Sequence, residues 1–96
     1  LAAASRQWQA ACLDVLGDAL ARSGRHGEAI AAGAEAVAAL PDAVWIREHH
    51  AYNLLGAGRL ADAETAARDI LAMAPSSAHA CSVLAAIEKR ASPPRS

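Results

Sequence analysis

Apolar positions along this chain recur at helical spacing. Leu13, Leu16, Gly17 and Leu20 stand at i, i+3, i+4 and i+7, a stripe down one side of a helix. The punctuation between such stretches is glycine and proline. Gly24 ends the first helix, because glycine accepts the left-handed conformation past a helix C-terminus. Pro41 and Pro75 end the second and fourth, since proline cannot continue a helix. Gly58 ends the third in the manner of Gly24. The pattern predicts helices over residues 6–23, 27–40, 43–57, 60–74 and 78–91. Ser5 is placed to cap the first, Asp42 the third, and Ser76 or Ser77 the fifth. Residues 92–96, Ser-Pro-Pro-Arg-Ser, read as a flexible tail.

The helices repeat. Leu20, Gly24, Arg25, Glu28 and Ala29 map onto Leu54, Gly58, Arg59, Asp62 and Ala63 at a constant offset of 34. The same offset carries Gly17 to Ala51 and Pro41 to Pro75. Each unit reads as helix, tight turn, helix, proline. Gly17 and Ala51 fall mid-helix, with Ala29, Ala63 and Ala36 on the facing helices. Small side chains in both places let the two helices of a unit approach closely, although glycine within a helix costs up to ~1 kcal/mol against alanine.

The period, the small residue in the first helix, the alanine opening the second and the closing proline resemble the tetratricopeptide repeat family. The resemblance implies an all-α fold, an α-solenoid of antiparallel helix hairpins with about five helices. It divides the single domain, residues 1–91, into repeats at about 10–43 and 44–77 and a capping helix at 78–91. There are departures. The family's early tryptophan is replaced by Leu13, Arg47 and Cys81, and its aromatic in the second helix by Gly33 and Ala67.

In that family the first helices line a concave groove that holds segments of other proteins. The resemblance puts Ala11, Asp14, Val15 and Asp18 of the first unit in the groove, with Trp45, Glu48, His49, Tyr52 and Leu55 of the second. The last helix would add His79, Ser82, Val83, Ala86 and Lys89. Its core stripe on the third helix would be Arg47, His50, Ala51 and Leu54, half of it polar. Trp45, Tyr52 and Leu55, at i, i+7 and i+10, lean the other way. They are either anchors for a partner, a role that favours Trp and Tyr, or ordinary packing between repeats. Asp14, Asp18 and Glu48 either favour a basic ligand or form a solvated face. A clamp for a ligand's C-terminal carboxylate is not expected, since Lys89 and Arg90 arrive only at the far end.

Composition narrows the function classes. Alanine fills 28 of the 96 positions and phenylalanine none, so the core is short of volume. With 9 basic and 10 acidic residues the formal charge is −1, which excludes an ordinary basic nucleic-acid binder. No apolar run reaches the ~18 residues of a membrane span. Cys12 and Cys81 read as small buried apolar residues rather than a bridge. His26, His49, His50 and His79 include no pair at i, i+4, and no metal or other cofactor is expected. No phosphate loop or nucleophile motif appears, so the chain does not read as an enzyme.

Two and a half units with an alanine core predict marginal stability alone, since about three repeats are usually needed. A partner, self-association or further repeats would supply the rest. The expectation is therefore a cytoplasmic, non-catalytic protein-interaction module that binds a peptide or helix of another protein, with a resemblance to small chaperones. The alternative is an accessory segment of a larger enzyme or transcriptional regulator. The opening Leu1 reads as that of a processed or excised piece.

Overall fold

A computed structural model describes residues 2–91, and the expected tail at 92–96 lies outside them. Five α-helices make up the described chain: α1 (Ala2–Arg22), α2 (His26–Ala39), α3 (Val44–Gly56), α4 (Leu60–Met73) and α5 (Ala78–Ala91). Among the described residues there is no strand.

The 34-residue offset reappears in the backbone hydrogen bonds. The Arg25 N–H donates to Leu20 O and Gly24 N–H to Ala21 O; Arg59 donates to Leu54 O and Gly58 to Leu55 O. These are two copies of one glycine-terminated turn, with φ +79° at Gly24 and +78° at Gly58. The same glycine slot then leads into matching ion pairs, Arg25 with Glu28 at 2.8 Å and Arg59 with Asp62 at 2.7 Å. The connections to the following helices also match: Ala43 N–H to Leu40 O, and Ser77 N–H to Ala74 O.

Two of the expected caps are not found, and the third is. Ser5 is inside α1, which runs back to Ala2. Gln7 stands where the period places Pro41 and Pro75, so nothing stops the helix there. Asp42 does not cap α3; the N-cap is Ala43, without a side-chain bond. Ser77 caps α5, its hydroxyl accepting the Ala80 N–H at 3.1 Å.

The helices pack α1 with α2, α3 with α4, α2 against α3 and α4 against α5. α3 also touches α1 and α5, while α2 and α4 do not meet. The first helices of the units thus form a layer, backed by the second helices. Two apolar clusters hold it. One gathers Ala10, Ala36 and Ile46 between α1, α2 and α3. The other runs through Ala51, Leu54, Leu55, Ala63, Ala67, Ile70, Ala80, Val83 and Ile87. Alanine fills many of these slots, so closeness replaces bulk. A Cβ on Gly17 would lie 3.3 Å from Ala29 O and 3.7 Å from Ala32 Cβ. Leu16, expected in that stripe, is 49% exposed on the far side of α1. Cys12 and Cys81 are free and exposed rather than buried.

Candidate interaction surface

At about 100° per residue, Ala11, Asp14 and Asp18 of α1 share a helix face with the same register as Trp45, Glu48 and Tyr52 of α3 and His79, Ser82 and Ala86 of α5. Polar ties cross between these helices. The His49 Nδ1–H donates to both carboxylate oxygens of Asp14, each at 2.9 Å. Trp45 stands edge-on to His49, with centroids 6.0 Å apart. Tyr52 Oη shares a hydrogen bond of 3.2 Å with His79 Nδ1, and the rings meet edge-on at 5.7 Å. The Ser77 hydroxyl donates to Glu48 Oε2 at 2.8 Å while capping α5. One serine thus joins the start of α5 to the middle of α3. Arg90 donates to Leu55 O at 2.9 Å and ties the end of α5 to the end of α3.

The carboxylates expected to attract a basic ligand are each engaged within the chain. Asp14 holds His49, Glu48 accepts from Ser77, and Asp18 pairs with Arg22 at 2.9 Å. What the face offers outward is aromatic: Trp45 is 46% exposed and Tyr52 38%. Trp45 also borders a hollow of about 400 Å³, with Trp8, Gln7, Ala11 and Leu40 as its other walls. Trp8 was not among the expected site residues. The signal for it is the missing proline at Gln7, which lets α1 continue beneath Trp8.

Two expected groove residues are core instead. Leu55 and Val83 are buried, at 8% and 0% exposure. Leu55 lies about 50° and Val83 about 70° off the centre of that face, where neighbouring helices press together; Leu55 turns toward the following unit and Val83 toward the preceding one. Val15 is exposed, at the edge of that face. His49 and His79 are exposed, but each is taken by its own partner.

On the opposite side, α2 and α4 diverge over an open trough of about 420 Å³. Ile30, Ala34 and Val37 form one wall, Leu54 and His50 the floor, and Arg59, Asp62 and Asp69 part of the other wall. His50 occupies the slot that holds Leu16 in α1 and Leu84 in α5. Its Nδ1 is buried without a hydrogen-bond partner. The ring lies against the backbone of Gly33, where a Cβ would collide with Nδ1. Burial pushes His50 below the usual imidazole range, the Arg47 guanidinium adds to this, and Asp62 opposes it. Arg47 escapes the core by donating from Nε to Pro41 O at 2.7 Å.

Among the described residues no group of three or more His, Cys, Asp or Glu could hold a metal ion. Among them, too, no helix is long and apolar enough to cross a membrane. Comparison with protein-family models, curated proteins and solved structures gave no match.

Proposed function

We propose that the chain is a non-catalytic interaction module built as a short solenoid of tetratricopeptide-like hairpins, and that the face of α1, α3 and α5 holds a segment of another protein. The observation that carries this reading is the pair Trp45 and Tyr52, two of the chain's three aromatic residues, standing exposed on one face of α3. Exposed Trp and Tyr on a rigid helix lose little conformational freedom on binding and bury much apolar area. The hollow between Trp8 and Trp45 would take an apolar side chain of the partner. Charge plays the smaller part, because Asp14, Asp18 and Glu48 are engaged within the chain. The duplicated turns support the solenoid reading: each hairpin turns and leaves by the same hydrogen bonds.

The test begins with capture of partners on the immobilised chain and their identification by mass spectrometry. Titration of the captured segment should then lose ~1–3 kcal/mol in Trp45→Ala and in Tyr52→Ala. Equal affinity in both variants, with helical content intact, rejects the assignment.

A further inference from the structure

The side of α1 turned away from α2 carries Trp8, Cys12, Val15, Leu16 and Ala19, at i, i+4, i+7, i+8 and i+11. All five are exposed, Trp8 by 74% and Val15 by 67%, and no charged residue belongs to the stripe. Two periods onward, the last four slots hold Ala80, Val83, Leu84 and Ile87 of α5. There the same chemistry is core, packed with α3 and α4. α1 therefore presents a buried-type surface to solvent, and such a patch marks a contact site.

In α5 this side is covered by α4, and in α3 α2 covers it at Ile46 and His50 but leaves His49, at the slot of Val15, exposed. The backbone leading into α1 takes another path. Ser5–Gln9 is helical, whereas its equivalents, 39–43 and 73–77, hold the end of a second helix and the proline-bearing connection. A hairpin in the repeat's own register would need that connection where α1 has helix. The far end of the chain is no cover either. The side of α5 that no other described helix covers exposes Cys81, Ala85 and Lys89, and head-to-tail stacking would press the Lys89 charge onto Val15 and Leu16.

The stripe does complement itself. In an antiparallel pair with its two-fold axis between residues 13 and 14, Trp8 of one copy faces Ala19 of the other, and Cys12 faces Val15. Large meets small at both levels, and Leu16, the fifth member, faces Ala11. We infer that α1 is a self-association surface, and that a second copy of this chain covers it by antiparallel α1–α1 packing. The contact is isologous, so it closes at two chains. One helix per partner is at the small end of specific interfaces, so the expected association is weak.

Sedimentation velocity of the full chain, from low-micromolar to near-millimolar protein, tests this. The mass should pass from one chain to two and stop there. Val15→Glu with Leu16→Glu alters only exposed side chains; helical content by circular dichroism should hold while the dissociation constant rises at least ~10-fold. In a Trp45→Phe background Trp8 is the sole tryptophan, and its emission should shift to shorter wavelength as dimer forms. A single-chain mass throughout, assembly beyond two, association undiminished in the double variant, or association without a change at Trp8 would each overturn the inference.

Discussion

The two hairpins share one backbone and differ in what they bury. Their turns match bond for bond, yet at three buried slots the second is better filled. Ile70 stands where the first hairpin has Ala36, Leu55 where it has Ala21, and Ile46 where it has Cys12. Each large residue is buried, with Ile70 at 0% exposure. The first hairpin compensates by approach, through Gly17 against Ala29 and Ala32. The comparison teaches that the repeat is specified by its turns and its small residues. The larger buried side chains lie instead in the half that also receives α5.

If that division is right, the largest effect is in the second hairpin. Ile70→Ala should cost ~2–5 kcal/mol by chemical denaturation, because it leaves a cavity between helices that cannot close further. Leu13→Ala, on a half-buried residue of the first hairpin, should cost clearly less; equal losses would break the contrast.

The caps sharpen it next. Position 43 and position 77 are the same slot, with alanine in one and a bonded serine in the other. Ser77→Ala should cost ~1 kcal/mol, and Ala43→Ser should gain up to a similar amount. Thermal melts of both variants measure whether the two connections are equivalent in energy as well as in geometry.

The smallest effect depends on pH. His50 holds its proton less tightly when folded than the ordinary imidazole value of 6.5. As pH falls below 6.5 the unfolded chain takes up protons that the folded chain refuses, so stability drops until the folded group also titrates. His50→Leu removes this, leucine being the residue at the equivalent slots 16 and 84. The wild-type melting temperature should fall more steeply than the variant's between about pH 7 and about pH 5. Parallel curves would assign the acid response to other groups.

The helices were legible because their stops are local. Gly24, Gly58, Pro41 and Pro75 act on their own backbone, and the bounds they predict lie within a residue or two of those observed. Where the stop was absent, at Gln7, the start of α1 was misplaced. That Trp45 and Tyr52 lie on the side of α3 away from Ala51 and Leu54 was legible from their spacing; that they stand exposed was not, because the same spacing fits packing between repeats. Nor was the burial of Leu55 and Val83, because flanking positions are buried or exposed according to how closely the next helix approaches, and the alanine core makes that approach short. Cys12 is exposed for the converse reason: its flank has no neighbouring helix among the described residues. The Asp14–His49 tie joins residues 35 apart and depends on the helix crossing, which no local pattern encodes.

The fit of His50 into the space left by Gly33 links two helices through a single shape. Neither site is free to drift alone: a side chain gained at 33 demands a smaller ring or none at 50. In an alignment of relatives these two columns should therefore vary together, with bulk appearing in one only as it vanishes from the other.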